Sequence, residues 1–301
     1  MSKGQILAGY LAPHPPHLVY GENPPQNEPR SQGGWEPLRW AYDEVRKEIE
    51  EMKPDVLVVH SAHWDTLVGH HVNVVPRMSG LSVDPIFPNL FRYQYDFKQD
   101  VELANAIYDQ GKIEGLTMKK MENPNFIVDY SSIVSLHMVR PQWDIPVVSI
   151  SANNSPYFSG IMNGIDQMEM LGQATLKAIE KSGKRAVVLA SNTLSHLHYH
   201  EEPELPEDMH HERIFNHDCY QLDMQLLELI RQGKTSEMRK FLPEYCERAF
   251  SEIKSGGLFW MMSALGWPEM KGDVKGYWTV IGTGNAVVKW DMQKKGVEAG
   301  V

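Results

Sequence analysis

The sequence predicts an α/β fold, a single domain over residues 1–301 with a central twisted, largely parallel or mixed sheet flanked by helices. Three observations carry that expectation. Short apolar runs alternate with stretches of helical periodicity, the alternation occurs twice, and several of the runs end on histidine. Alternation of strand and helix places strands in one sheet with crossovers on its faces, and ligands in such sheets bind outside the carboxyl ends of the strands.

In chain order, "GQILAGYLAP" reads as a buried strand. It leaves through "PHPPH", where proline fixes its own φ and keeps the preceding residue out of the helical region, so a stiff extended segment is expected. Residues 20–34, rich in Pro, Gly and Asn, are expected to be a loop that walls a pocket or crosses the surface. "EPLRWAYDEVRKEIEEM" sets Leu38, Tyr42, Val45, Ile49 and Met52 at helical spacing, and "KPDVLVVHSAHW" is the next strand. The three form a strand–helix–strand unit, expected to be a right-handed parallel crossover.

The pattern returns with "IPVVSIS", the amphipathic "DQMEMLGQATLKAIEKSG" closed by Gly183, and "RAVVLASNTLSH". Residues of about 211–232 and 235–266 carry helical periodicity. "GYWTVIGTGNAVVKWDM" ends the pattern as a hairpin with Gly282 and Gly284 in its turn. No repeat, low-complexity tract or linker interrupts the chain, so one domain is the economical reading.

A formal net charge of -10 argues against nucleic-acid backbones and anionic membranes as partners. Apolar residues at 42% exclude a disordered or fibrous chain. Cys219 and Cys246 are the only cysteines, the beginning of the chain has no apolar signal segment, and no window approaches a membrane span. A cytoplasmic protein is expected. Two cysteines do not make a thiolate metal site, so any metal must use histidine and carboxylate.

Three strands that are separate in sequence deliver His14, His63 and His196 to their carboxyl ends. Their convergence on one site at that edge is the expectation. His60 is expected to pack or to support the site. His70, His71, His198, His200, His210 and His211 are expected to be solvated or supporting. Two imidazoles want a carboxylate as third metal ligand. Glu247 and Glu252, in "YCERAFSEIKSGGLFWMMSALGW", are the candidates, and spacing alone does not choose between them.

"PHPPH", "HSAHW", "SNTLSH" and a glutamate ahead of "GGLFWMMSALG" occur in this order over most of the chain. On these pieces the sequence resembles the class III extradiol ring-cleavage dioxygenases, which include protocatechuate 4,5-dioxygenase, and within them the catalytic β chains that cleave aminophenols. The resemblance implies a non-haem Fe(II), with Mn(II) as the alternative, held by His14, His63 and Glu252. It makes His196 the acid/base residue and Tyr130, in "VDYSS", a substrate contact. It further implies a small aromatic substrate, 2-aminophenol or a related ortho-aminophenol or catechol, that binds the metal beside O2 and opens to a semialdehyde. A related non-catalytic α subunit in an α2β2 assembly is the implied partner. An ordinary pKa near 6.5 is expected for His196.

Two other functions are weighed. A zinc hydrolase or deaminase suits the same donors, but "HExxH" and "HxE…PCxxC" signatures are missing. A non-catalytic subunit of the same fold would not need all four site positions filled. No basic residue stands out to hold a substrate carboxylate, against the habit of protocatechuate-type enzymes. "GTGN" at 282–285 lacks the spacing of a nucleotide loop. The acidic "HEEPELPEDMHHE" is expected to be a solvated loop or, less readily, a lid over the pocket.

Overall fold

Strands covered on both faces read as unbroken apolar runs, and the central strands here do so. The computed structural model describes residues 3–22, 33–86, 88, 90–153, 161–198 and 210–294, with backbone alone at 161–163. The sequence expectations for the 20–34 loop, for the acidic stretch and for His200 therefore fall wholly or mainly outside the described residues. The strands are β1 (Gln5–Leu11), β2 (Val56–Thr66), β3 (His70–Asn73), β4 (Arg77–Val83), β5 (Arg92–Lys98), β6 (Met118–Met121), β7 (Val147–Asn153), β8 (Arg185–Ala190), β9 (Asp273–Val280) and β10 (Thr283–Asp291).

Eight of them form one mixed sheet, in the order β6-β3-β7-β2-β8-β1-β10-β9, while β4 and β5 pair by themselves. The central four, β7-β2-β8-β1, are parallel, and β10 runs antiparallel to β1. Side chains alternate across this sheet. Val56, Val58, Ala186, Val188 and Ala190 join one core, and Leu57, Val59, Val187 and Leu189 join the other.

The helices divide between the faces. α1 (Pro16–Glu22), α2 (Glu36–Met52) and α4 (Tyr130–Val139) cover one face. α3 (Val101–Ile113), α5 (Ile161–Ser182), α6 (His217–Gln232), α7 (Thr235–Arg248) and α8 (Gly256–Ala264) cover the other. α2 buries Leu38, Ala41, Tyr42, Val45, Ile49 and Met52, the stripe expected from its spacing. Burying each large apolar side chain is worth about 1.5–3 kcal/mol. α8 carries no charge and every residue from Gly256 to Ala264 is buried. Gly172 of α5 lets that helix approach closely, since a Cβ there would stand 2.4 Å from the Trp260 carbonyl oxygen.

Several expectations are revised. β1 and β2 are parallel but not neighbours, because β8 lies between them. "PHPPH" is extended only as far as Pro15. Pro16 begins α1, where its missing N–H costs nothing in a first turn, and His17 is helical. The hairpin turn is Ile281–Gly282, both with positive φ, whereas Gly284 lies within β10. There a Cβ would come within 1.8 Å of Asp223 Oδ2. Residues 211–216 are not helical, and α6 starts after Asn216, whose side chain accepts from the Cys219 N–H. The stretch 235–266 breaks between α7 and α8 into a 3₁₀ turn, Glu252–Ser255, with positive φ at Phe250, Ile253, Lys254 and Ser255. β3–β6, α3 and α4 lie outside the elements expected from the sequence, although β5 alternates exposed and buried side chains and α3 buries one stripe through Leu103, Ala104 and Ile107.

Candidate active site

Each sequence-predicted residue reaches the site by its own local device. His14 follows β1 in the extended Ala12–Pro15 segment. The Ala12 N–H donates to the Ala190 carbonyl, and the Tyr42 hydroxyl donates to the Pro13 carbonyl at 2.6 Å. His63 lies inside β2, past an irregularity between His60 and Asp65, and not at the strand's end. The Ser61 hydroxyl shapes that kink by accepting from the N–H of His63 and of Trp64. Glu252 is presented by the left-handed backbone between α7 and α8. Such strain costs about 1–3 kcal/mol per residue and clusters at functional sites. Glu247, the other candidate, is exposed and pairs with Lys254 at 3.1 Å.

His14, His63 and Glu252 come together with one ligand atom each inside 4.8 Å of one another. Glu252 Oε1 faces both imidazoles, 3.1 Å from His14 Nε2 and 3.0 Å from His63 Nε2. Oε2 accepts from the Thr193 N–H at 2.8 Å and from Asn192 Nδ2 at 3.2 Å. The carboxylate is thus clamped on one oxygen by the loop after β8 and faces the two imidazoles with the other. Burial alone would raise the Glu252 pKa. The facing His14 and His196, with hydrogen bonds from His14 and His63, hold it well below the usual carboxylate range. Burial likewise acts to lower His63, but the Glu252 contact leaves it raised.

Behind the cluster, His14 Nδ1 is 3.0 Å from Ser191 Oγ, which donates to the Ser131 carbonyl at 3.2 Å. Tyr130 sets its hydroxyl 2.9 Å from His63 Nε2, and burial pushes its pKa above the ordinary phenol range. His196 lies on the loop after β8, with Nδ1 2.9 Å from Thr193 Oγ1. Its pKa is lowered to about 4, first by burial and then by neighbouring histidines, against an opposing pull from Glu252. The expected ordinary value is thereby corrected: the ring is neutral at pH 7.

His14, His63, Tyr130, Thr193 and His196 line a small cavity of about 40 Å³, tighter than the usual small-molecule site. None of its described lining residues is Lys or Arg. His198, expected to be solvated or supporting, stands at this cavity with Nε2 3.1 Å from His196 Nε2. His70, expected likewise, is fully buried in β3, while His60 packs against Trp260 as expected. The roles of Ser191, Asn192 and Thr193 escaped sequence reasoning, although "SNTLSH" contains all three. Hydroxyls and amides in a polar loop carry no signal of which atom they hold.

Residues 8–289 match a family described as the catalytic LigB subunit of aromatic ring-opening dioxygenase. The chain belongs to this family. Among its relatives, a 2-aminophenol 1,6-dioxygenase beta subunit from Pseudomonas sp. is 58% identical over 297 residues, 99% of this chain and 97% of that protein. The 2-aminophenol 1,6-dioxygenase alpha subunit from Pseudomonas sp. is 25% identical over 86% of this chain and 92% of its own length. A solved structure of an uncharacterized Escherichia coli K12 protein superposes with a TM-score of 0.61 at 15% identity, covering 94% of this chain and 99% of that one. That likeness concerns the fold alone. Among the described residues of this LigB-family chain, no helix is long and apolar enough to cross a membrane.

Proposed function

We propose that this chain is a non-haem Fe(II) extradiol dioxygenase that opens the ring of 2-aminophenol, or of a related ortho-aminophenol or catechol, to a semialdehyde. The observation that carries the reading is the cluster of His14, His63 and Glu252 beside the cavity that holds His196 and Tyr130. The similarity to the Pseudomonas beta subunit supports the substrate class.

The donor set fits the metal. Two imidazole nitrogens and one carboxylate oxygen converge, and the second carboxylate oxygen is already satisfied by Thr193 and Asn192. His14, His63 and Glu252 would hold the ion, and manganese suits the same donors. Bound there, the ion supplies adjacent open positions for an ortho-substituted phenol and for O2 and connects the two electronically. The residues do the rest. Neutral His196 takes the phenolic proton and later returns one, a task worth about 100-fold or more in rate. Tyr130, protonated throughout, offers a hydrogen bond to the bound ring substituent. A lining without cations favours a ring bearing no carboxylate.

The chain is read as one catalytic domain over its full length, working in the cytoplasm without nucleic acid or membrane partners. The existence of a related alpha subunit supports a heteromeric assembly, and α2β2 is the arrangement we propose. The test is oxygen uptake by anaerobically prepared, Fe(II)-loaded protein co-produced with its partner chain, given 2-aminophenol and catechol in parallel. Uptake with a new ring-opened absorbance for 2-aminophenol is expected. Uptake with catechol alone would discard the aminophenol assignment, and uptake with neither would discard the reading.

A further inference from the structure

Two imidazoles meet tip to tip at the cavity, and the reaction above uses one of them. His196 Nε2 and His198 Nε2 are 3.1 Å apart, with the rings at 79°. At that distance the two nitrogens hold one proton between them and not two. The remaining contacts say which ring carries it. The His198 ring donates to the Ile281 carbonyl. Because its Nε2 faces His196, that donor is Nδ1, which leaves His198 Nε2 bare in the neutral ring. His196 Nε2–H is therefore the donor of the pair, and His196 Nδ1 accepts from the Thr193 hydroxyl at 2.9 Å, closer than that hydroxyl's other acceptor, Glu252 Oε2 at 3.2 Å. His196 is half-buried, whereas His198 is exposed.

We propose that His198 is a second proton-transfer residue, the group through which His196 exchanges its proton with solvent. It rests on the reading of His196 as the acid/base residue. The proton balance is simple. A proton taken from substrate at His196 Nδ1 makes that ring an imidazolium. Its Nε2 proton crosses to His198 Nε2, and His196 returns to neutral in its other tautomer. His198, now cationic, gives one proton to water or buffer. No electrons move, and the reverse path returns a proton when the product needs one. A side chain that only filled space would not need its nitrogen within hydrogen-bond reach of another imidazole.

The test follows proton release without turnover. Fe(II)-loaded wild type and His198→Gln are mixed with 2-aminophenol in the absence of O2, in weakly buffered solution with a pH indicator. The indicator reports the proton and the ligand absorbance reports binding. Expected for His198→Gln is binding at the wild-type rate with proton release slowed about tenfold or more. Added imidazole should restore release in a concentration-dependent way, which a merely structural loss would not allow. Wild-type release kinetics in His198→Gln, or slowed release that imidazole does not touch, would overturn the proposal. His196→Ala is the control. If that variant releases the proton and turns over as wild type does, the reading of His196 fails, and the relay fails with it for a distinguishable reason.

Discussion

His63 Nε2 and Glu252 Oε1 lie 3.0 Å apart, although 189 residues separate them in the chain. Oε1 of the same carboxylate also meets His14 Nε2 at 3.1 Å. Removing one corner leaves two ligands, too few to keep Fe(II) through purification. Glu252→Ala and His14→Ala are expected to come out with iron near background and without activity, as metal analysis of the purified variants would reveal. Full occupancy in Glu252→Ala would move the ligand role elsewhere.

Ser191 orients the ring of His14. Nδ1 is 3.0 Å from Ser191 Oγ and Nε2 is 3.1 Å from Glu252 Oε1, so an Nδ1–H donated to Ser191 would leave Nε2 to bind a metal beside Glu252. Outer partners of this kind are worth about 10–100-fold in metal affinity. Ser191→Ala should therefore weaken iron binding by that factor with little change in the thermal unfolding of the metal-free protein, as measured by chelator competition. Unchanged affinity would mean that packing alone orients the ring.

Tyr130 keeps its proton, because burial raises its pKa, and its hydroxyl stands 2.9 Å from His63 Nε2. Loss of one neutral hydrogen bond costs about 1 kcal/mol, or roughly fivefold. Tyr130→Phe is expected to raise KM for 2-aminophenol by about that factor and to retain iron. Steady-state kinetics beside metal analysis separates this outcome from loss of iron, which would give Tyr130 a role in holding the ligand His63.

Asp223 is buried and accepts from the Tyr245 hydroxyl at 2.7 Å, the Tyr277 hydroxyl at 2.8 Å and the Ser195 hydroxyl at 2.8 Å. Burial outweighs these donors and pushes its pKa up to about 6. A carboxyl that binds its proton more tightly when folded favours folding below its unfolded pKa of about 4, and this contribution is lost as pH rises through about 6. Asp223→Asn has no such proton. The unfolding free energy of wild type minus that of Asp223→Asn should fall by roughly 2 kcal/mol between pH 4 and pH 6 and stay level above pH 7. Denaturant unfolding of metal-free proteins across that range measures it. A difference that is flat, or that grows with pH, would assign the titration to another group.

Legibility in the sequence followed the strength of the local pattern. The runs of β1, β2, β7 and β8 were readable because strands buried on both faces carry near-continuous apolar stretches. Between residues 66 and 140, β3 and β6 are four residues long and α4 is buried all round, so these three present no period, whereas β5 and α3 do. His14 and His196 were legible as residues just beyond strands. His63 was legible for the same reason, but its place past a bulge was not, because Ser61 shapes the kink through a hydroxyl that looks like any other serine's. Choosing Glu252 over Glu247 took the resemblance to a family; beside left-handed backbone at Ile253, Lys254 and Ser255, Glu252 is buried while Glu247 is exposed.

The sequence by itself determined the α/β class, the buried stripe of α2, the charge that argues against polyanionic partners, and the residue types able to hold a metal. These depend on local periodicity and composition, which a linear string carries in full. Only the tertiary structure decided that β8 sits between β1 and β2, that Oε2 of Glu252 is clamped by Thr193 while Oε1 faces two imidazoles, and that His198 meets His196. The first two arise from contacts between segments dozens to hundreds of residues apart, and the third from the path of the loop after β8. Hydrogen-bond geometry to within a few tenths of an ångström, which no pattern of residue types encodes, decides them.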